Sequence, residues 1–476
     1  MHLRTYGCQM NVLDSQIIAG ELERHGYRMV EAEEEADAIL FNTCSVRDLS
    51  ERKVLGKLGM LRHARKRRPE LVLGVCGCMA ELSGERLLAK NPHVDFVCGT
   101  QAVNAVAGML DRAFARRLRT AAGTKHNAAH LVRLCSHFGV TPGAQAGGGE
   151  DAEPSAQHPL FARECDETQH VDETGARRPH PWQAYVAVMR GCSNYCSFCV
   201  VPYARGAETS RPAGEIIDEI KRLADEGCRE VILLGQNVNS YGKRRGDGVT
   251  FPALLRRVNA IEGIEWIRFL TSNPQDISDE LIDAIAECGK VCHQIHFPLQ
   301  SGSDRILRLM NRKYSYADYV YRVERLRTAV PDIALSSDFI VGFPTETDGD
   351  FELTRAAVKD IGFASSFIFK YSPRPRTKAA ELADDVPADV KKKRHAALLA
   401  LQNRMTLRAH EAQAGSVQRV LVEGPSKTDA AMMQGRTGTF YNVVFPGSPA
   451  LAGTFVNVRM TRATQLTLYG VPATGG

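Results

Sequence analysis

Residues 184–199 read AYVAVMRGCSNYCSFC, and they decide the fold of the central part of this chain. Ala184–Met189 is predicted to be a β-strand, and Cys192, Cys196 and Cys199 follow it on one short loop with C-x3-C-x2-C spacing. Three thiolates can hold three irons of a four-iron cluster, whose complete protein ligation takes four. One iron is then open to a small molecule, so the spacing favours catalysis over structural support.

Zinc is the main alternative for this loop. Structural zinc sites take four ligands, usually as paired C-x2-C units or with His. The loop has no fourth ligand nearby. A chance grouping of three unrelated cysteines is a poor explanation of the spacing, because buried structural thiols rarely cluster on an exposed loop.

Strand and helix patterns alternate six times between Ala184 and about Tyr371, which indicates a (β/α)6 partial, TIM-like barrel. Catalytic groups of such barrels lie at the C-terminal ends of the strands, where the cysteine loop is also predicted to lie. Several polar residues are placed at strand ends and are candidates for contact with cofactor or substrate, with turn or cap roles as the alternative. They are Gln236, Asn237, Ser272, Gln300, Ser301 and Asp338.

A second cysteine set lies in residues 1–119, whose alternating pattern predicts an α/β domain with a doubly wound parallel sheet. Cys8, Cys44 and Cys78 each follow a predicted strand. Because strand C-terminal ends converge on the ligand crevice, these cysteines can meet and hold a second cluster with an open iron. Without that argument, they are better explained as buried structural thiols. The remaining cysteines are expected to be packing or surface thiols, namely Cys76, Cys98, Cys135, Cys165, Cys228, Cys288 and Cys292.

Composition and periodicity divide the chain after residue 119 into three segments. Residues 120–182 lack periodicity and are interpreted as a linker or disordered insertion. Residues 183–411 contain the barrel and a long helix, and residues 412–473 switch to four β-like segments, which predicts a small OB-like barrel.

The chain has 476 residues and a net charge of +5, so it is mildly basic, which permits nucleic acid as a partner. Basic residues cluster at 62–68, 116–119 and 391–394, and each cluster taken singly is interpreted as a solvated helix end. No apolar run approaches the ~18 residues of a membrane helix, and no signal peptide is visible. We therefore expect a cytoplasmic protein, in which thirteen cysteines indicate metal or catalytic use before disulfides.

The cysteine loop resembles the signature of the radical S-adenosylmethionine superfamily, including Phe198 before its last cysteine. The motifs TYGCQMN, FNTCSVR and GCMAE, which contain the second cysteine set, resemble those of the methylthiotransferase branch. Residues 412–473 resemble a TRAM domain, an RNA-binding barrel. The resemblance covers nearly the whole chain outside 120–182.

This resemblance implies two [4Fe-4S] clusters. The loop cysteines would hold the one that binds S-adenosyl-L-methionine and generates a 5′-deoxyadenosyl radical, and the second set would hold an auxiliary cluster that furnishes sulfur. The segments LLGQNVNSYG, PLQSGSDRIL and SSDFIVGFP are similar to the branch that methylthiolates C2 of N6-isopentenyladenosine at position 37 of tRNA. The implied partners are this tRNA and an electron donor such as a flavodoxin or ferredoxin. We expect the protein itself to be a monomer.

Three alternatives stay open at this point. Other branches of the family methylthiolate threonylcarbamoyladenosine in tRNA or an aspartate of ribosomal protein S12. A non-enzyme alternative is a metal-stabilised RNA-binding protein that holds zinc.

Overall fold

The structure is a computed structural model that describes residues 1–46, 48–121, 131–133, 171, 175–244, 246 and 248–473. The chain forms two compact units. The first comprises the described residues up to Arg178 together with Val200–Gly206, and the second comprises Pro179–Cys199 and the described residues from Ala207 onward. None of the described helices is long and apolar enough to cross a membrane.

The first unit is built on a parallel sheet with the strand order β1-β2-β3-β4-β5. Strands and helices alternate along the chain, as the sequence predicts. The elements are β1 (His2–Tyr6), α1 (Gln9–Arg24), β2 (Ala38–Thr43), α2 (Asp48–Arg67), β3 (Val72–Gly77), α3 (Cys78–Lys90), β4 (Phe96–Cys98), α4 (Val106–Ala121) and β5 (Leu131–Arg133).

Helices cover both faces of this sheet. Alternate side chains of β2 and β3, such as Phe41 and Val75, join a buried apolar cluster with residues of α2 and α3. The opposite face carries Asn42, which is hydrogen-bonded to α1. The strand order is sequential and has no reversal, so the ligand edge of the sheet is simply the edge at which its adjacent parallel strands end.

Two features of the first unit were not predicted. Leu131–Arg133 pairs with β4, although residues 120–182 were interpreted as a linker or disordered insertion. The short helix α5 (Val201–Arg205) packs against α3, although the sequence placed it in the 183–411 domain. A short edge strand and a five-residue helix carry too little periodicity to be recognised from sequence.

The second unit contains the predicted barrel. Its six main strands form two parallel three-stranded sheets, β10-β9-β6 and β11-β12-β13, which are joined by a parallel bridge between Ile267 and Val291. The elements are β6 (Gln183–Ala187), β7 (Met189–Arg190), β8 (Thr209–Ser210), α6 (Ala213–Asp225), β9 (Glu230–Leu234), α7 (Phe251–Asn259), β10 (Trp266–Phe269), α8 (Asp279–Glu287), β11 (Gln294–His296), α9 (Asp304–Leu309), α10 (Tyr316–Ala329), β12 (Ala334–Val341), α11 (Asp348–Ile361), β13 (Ser365–Lys370) and α12 (Ala388–Glu411).

A small closed barrel of five strands ends the second unit, which confirms the predicted OB-like module. Its strands are β14 (Val417–Pro425), β15 (Met432–Thr437), β16 (Asn442–Pro446), β17 (Phe455–Ala463) and β18 (Leu468–Pro472). The sequence pattern does not predict β15. Gly435 interrupts its β pattern, and a Cβ there would lie 2.3 Å from the backbone oxygen of Leu421, so the strand needs glycine for close pairing.

Candidate functional site

Cys8, Cys44 and Cys78 come together at the C-terminal edge of the first unit's sheet. Cys8 precedes α1, Cys44 directly follows β2, and Cys78 is the first residue of α3. The backbone N–H of Cys44 donates to the carbonyl of Tyr6, the last residue of β1, at 2.8 Å, which extends the β1–β2 ladder one residue beyond the end of β2. The Cys44 thiol interacts with the thiols of Cys8 and Cys78, and these two interactions are the largest causes of the rise in its pKa. The predicted meeting of the three cysteines is therefore present.

The three thiols perturb one another strongly. Hydrogen bonds to Cys78 and Cys8, together with burial, raise the pKa of Cys44 well above its usual value. The same contacts with Cys44 lower the pKa of Cys8 and of Cys78, and the positive charge of Arg205 lowers both further. The thiols of Cys8 and Cys78 are thereby shifted toward the thiolate, which is the form of cysteine that binds soft metal ions.

An amide network orients Cys8, and the sequence analysis did not find it. Asn11 Oδ1 accepts from the Cys8 thiol at 3.3 Å and from the Cys8 backbone N–H at 3.4 Å. Asn11 Nδ2 donates to Asn42 Oδ1 at 3.1 Å, and Asn42 Nδ2 donates to Asn11 O and Ser15 Oγ, both at 2.9 Å. Both asparagines are fully buried. They stand within the motifs TYGCQMN and FNTCSVR, which is the sequence pattern that could have identified them.

Most of the other cysteines do not form a site. Cys76 is fully buried within β3, and Cys98, Cys228, Cys288 and Cys292 are buried as well, which agrees with the expected packing role. All eleven cysteines in the described ranges are free thiols. Cys135 and Cys165 lie outside the described residues.

The C-x3-C-x2-C loop lies in the second unit, after β6 and β7. Cys192, Cys196 and Cys199 are all half-buried, and the backbone N–H of Cys199 donates to Cys196 O at 3.0 Å. Burial is the main cause that raises the pKa of Cys192 to about 11. The position after the first barrel strand agrees with the sequence prediction.

The segment after α9 supports this loop from within the same unit. Arg312 Nη1 donates to Cys196 Sγ at 3.4 Å, and its Nη2 donates to Pro298 O at 3.0 Å. Ser197 is held by two bonds, from its N–H to Met310 O and from its hydroxyl to Leu309 O. Sequence reasoning missed Arg312, because it lies 116 positions from Cys196.

Three of the predicted polar residues leave buried oxygens without a hydrogen-bond partner in the described part of the chain. These oxygens are Gln236 Oε1, Asn237 Oδ1 and Ser272 Oγ. They follow β9 and β10, which are paired neighbours, so they share one end of the barrel. Unpaired buried acceptors cost free energy, and such groups in native proteins commonly meet a ligand or water.

The other predicted contacts are placed differently. Asp338 lies in the middle of β12 rather than at a strand end, and its carboxylate is 3.3 Å from His296 Nε2, a residue that the sequence analysis missed. Gln300 lies beyond β11 and has φ 73°, and its N–H donates to Asp338 O. The hydroxyl groups of Ser301 and Thr354 are hydrogen-bonded to each other at 3.3 Å. Phe198 packs against a small apolar cluster that includes Ile306, Met310 and Phe343.

Both cysteine sets offer the donor chemistry that iron–sulfur clusters require, which is thiolate from three cysteines with one iron left for another ligand. No set of three or more His, Cys, Asp or Glu side chains among the described residues is arranged as a ready-made site for a metal ion. The fit of the clusters therefore rests on the shared sheet edge of Cys8, Cys44 and Cys78 and, for the loop, on the spacing and position of its cysteines.

Members of all three basic clusters form ion pairs within the fold, so these clusters are not simply solvated helix ends. Arg65 and Arg117 pair with buried Asp95, and Arg394 pairs with buried Glu346. Exposed arginines also stand on the outer surface of the C-terminal barrel, where Arg462 lies over the ring of Tyr469.

Comparison with known proteins agrees with this architecture. Profiles match at residues 1–99 (uncharacterized protein family UPF0004), 186–358 (radical SAM superfamily) and 411–473 (TRAM domain). A solved radical S-adenosylmethionine methyltransferase from Kitasatospora setae has a TM-score of 0.51 at 14% identity, covering 80% of this chain and 74% of that chain, which shows the fold alone.

Relatives in sequence define the family. The chain is 41% identical to the tRNA-2-methylthio-N(6)-dimethylallyladenosine synthase of Syntrophotalea carbinolica over 97% of each chain. It is 43% identical to the protein of the same name from Syntrophomonas wolfei, over 98% of this chain and 96% of that one. The chain therefore belongs to the family of tRNA-2-methylthio-N(6)-dimethylallyladenosine synthases.

Proposed function

We propose that this protein methylthiolates C2 of the adenine in N6-dimethylallyladenosine (isopentenyladenosine) at position 37 of tRNA. The observation that carries the proposal is the shared position of Cys8, Cys44 and Cys78 at one edge of a parallel sheet, in a chain that also contains the C-x3-C-x2-C loop. One cysteine set alone would suit a radical generator. Two sets suit an enzyme that also inserts sulfur.

In this proposal Cys192, Cys196 and Cys199 hold one four-iron cluster, and the other three cysteines hold the auxiliary one. When bound, the first cluster with S-adenosyl-L-methionine supplies a radical that takes hydrogen, and the auxiliary cluster supplies sulfur. The unpaired oxygens of Gln236, Asn237 and Ser272 are available to accept hydrogen bonds from the ammonium and hydroxyl groups of S-adenosylmethionine. Phe198, Gln300 and Asp338 are further candidates for contact with S-adenosylmethionine or substrate.

The target base has to leave its stack to reach a buried site, as in other enzymes that act on a base. The C-terminal barrel supports RNA binding through its exposed arginines, which position a phosphate backbone without reading sequence. We further propose that the protein works as a monomer in the cytoplasm and receives electrons from a flavodoxin or ferredoxin. The thirteen cysteines are consistent with such a reducing setting.

The test uses the full chain, reconstituted anaerobically and incubated with S-adenosylmethionine and tRNA carrying N6-dimethylallyladenosine. We expect roughly eight irons per chain if both clusters are four-iron. Cys196→Ala should abolish formation of 5′-deoxyadenosine. Cys44→Ala should retain it but form no methylthiolated nucleoside. Cys76→Ala is the matched control, since this buried thiol lies beside Cys78 in sequence and should leave both products.

Three results would contradict the proposal. Product formation by Cys44→Ala would remove the auxiliary cluster from the chemistry. Zinc in place of iron, with no cleavage of S-adenosylmethionine, would favour the RNA-binding alternative. Methylthiolation of tRNA carrying threonylcarbamoyladenosine, or of ribosomal protein S12, with none on the proposed tRNA would assign the chain to another substrate.

A further inference from the structure

Arg205 is a buried cation to which the proposed chemistry assigns no role. It ends α5 and is 5% exposed, and its Nη2 donates to Asp14 Oδ2 at 2.8 Å. Asp14 lies on α1 and is fully buried. Burying an ion pair costs desolvation free energy that the pair's own attraction often fails to recover. A buried pair at this position therefore calls for a second purpose.

The pair lies at the same sheet edge as the auxiliary cysteines. Asp14 is on the helix that begins directly after Cys8, and α5 packs against the helix that begins with Cys78. The hydroxyl of Thr100 donates to Ala204 O at 2.6 Å, which fixes the end of α5 beside Arg205. All these elements belong to the first unit.

The two members of the pair carry opposite charges, and both are buried on elements that adjoin the cysteines. Arg205 therefore attracts a negative charge held at the cysteines, and Asp14 repels it.

A four-iron cluster on three thiolates is an anion, and each added electron makes it more negative. Net charge and hydrogen bonding around such a cluster set its reduction potential. Groups outside the ligand shell orient the ligands and tune the metal, and they matter nearly as much as the ligands themselves. Arg205 has the charge, burial and position of such a group.

We propose that Arg205 is a positioning residue of the auxiliary site, which compensates the negative charge of the bound cluster and is held in place by Asp14. This inference rests on the proposed function, since it takes Cys8, Cys44 and Cys78 as cluster ligands. It predicts opposite effects for the two members of the pair. Neutralising Arg205 should make the cluster harder to reduce, and neutralising Asp14 should make it easier to reduce.

The experiment uses the full chain with Cys192, Cys196 and Cys199 replaced by alanine, so that only the auxiliary cluster can form. The reduction potential is measured by anaerobic titration followed by electron paramagnetic resonance. In Arg205→Gln we expect the reduced-to-oxidised ratio at a fixed potential to fall at least tenfold, which is about 59 mV for one electron. Asp14→Asn should shift the ratio upward, and Arg205→Lys should stay close to the parent.

Arg65→Gln is the matched control. Arg65 and Asp95 form another buried Arg–Asp pair in the same unit, with Arg65 Nη1 2.8 Å from Asp95 Oδ2. This pair lies at the other end of β3 from Cys78, roughly 16 Å away at ~3.3 Å per residue. It reproduces the loss of a buried pair without the proximity to the cysteines, so the potential should not move.

Each outcome decides the inference. Shifts of the same sign in Arg205→Gln and Asp14→Asn, or a shift below tenfold in Arg205→Gln, would overturn it. If Arg205→Gln assembles no cluster, the decision passes to Asp14→Asn, whose potential must rise, and to Arg205→Lys, which must bind the parent's iron content. If the parent itself binds no cluster, the proposed function fails at its auxiliary site, which is distinct from any effect of Arg205.

Discussion

Replacing Asn42 by alanine tests whether the buried amide network builds the auxiliary site. The substitution removes three hydrogen bonds, two donated by Asn42 Nδ2 and one accepted by its Oδ1. Each of these hydrogen bonds contributes a net of about 0.5–1.5 kcal/mol to stability, so the free energy of unfolding should fall by about 2–4 kcal/mol. The partner groups that stay buried without a hydrogen bond keep this loss from being smaller. It also releases the amide of Asn11, which holds Cys8.

The assay is hydrogen exchange measured by mass spectrometry on the full chain, read on peptides that cover β1, β2 and β3. Local opening free energies are read from such exchange, so a loss of about 2–4 kcal/mol accelerates exchange on the order of 30- to 1,000-fold. Reconstituted Asn42→Ala should also lose about four of eight irons and all methylthiolation, while it still cleaves S-adenosylmethionine.

Asn91→Ala is the control for this prediction. Asn91 is also buried in the first unit, but its side-chain amide donates a single hydrogen bond, to Leu87 O at 3.0 Å, at the far end of α3 from Cys78. We expect the free energy of unfolding to fall by about 1 kcal/mol and the iron content to stay at the parent's value. If Asn42→Ala keeps all of its iron and normal product formation, the network does not orient Cys8 and our reasoning is wrong.

Three further variants test other features. Gly77→Ala should destabilise the first unit and lower the iron content of the auxiliary site, because Gly77 has φ 90° and a Cβ there would lie 2.4 Å from a buried amide oxygen. The control is Gly56→Ala on α2, where a Cβ meets nothing within 4 Å, so the folding free energy should be unchanged or up to ~1 kcal/mol more favourable. Replacing exposed Arg459 and Arg462 by alanine should raise the KM for tRNA. It should also weaken the salt dependence: the slope of log KM against log salt concentration should fall by about one for each phosphate that the variant no longer neutralises. Asp350→Asn should flatten the loss of thermal stability below about pH 4, since burial raises the pKa of Asp350 but the hydrogen bonds it accepts hold that pKa well below the ordinary 3.8.

The sign of the acid effect follows from the lowered pKa. The charged form of Asp350 contributes stability above the pKa of the unfolded chain, and this contribution is lost as the pH falls through the folded-state pKa. An unchanged acid limb in Asp350→Asn would contradict the assignment. Equal effects of Gly77→Ala and Gly56→Ala would contradict the steric argument, and an unchanged KM in the double arginine variant would move RNA contact away from the C-terminal barrel.

Much of the fold could be predicted because it depends on local pattern. The six main barrel strands and the first four strands of the N-terminal sheet all appear near their predicted positions. Period-two and period-3.6 patterns report local structure directly. The strands that were missed, β5, β8 and β15, are short or interrupted by glycine, so the local pattern is weak there.

Some residues of the candidate site could likewise be predicted from local sequence, and others could not. The loop with Cys192, Cys196 and Cys199 was recognisable because its donors lie within eight residues of one another in sequence. Cys8, Cys44 and Cys78 could be brought together only by assuming parallel strands with a common edge, which the structure bears out. Asp338 was misplaced, because a polar residue in the middle of a strand resembles one at its end.

By itself the sequence determined the cysteine spacings, the alternation of strands and helices, and hence two places where thiols meet the ends of parallel strands. Only the tertiary structure decided what surrounds those thiols. Arg205 and Asp14 are 191 positions apart, and Arg312 and Cys196 are 116 apart. No local propensity encodes such pairs, because they depend on how packed elements meet, and the charges that act on the cysteines are set by that packing.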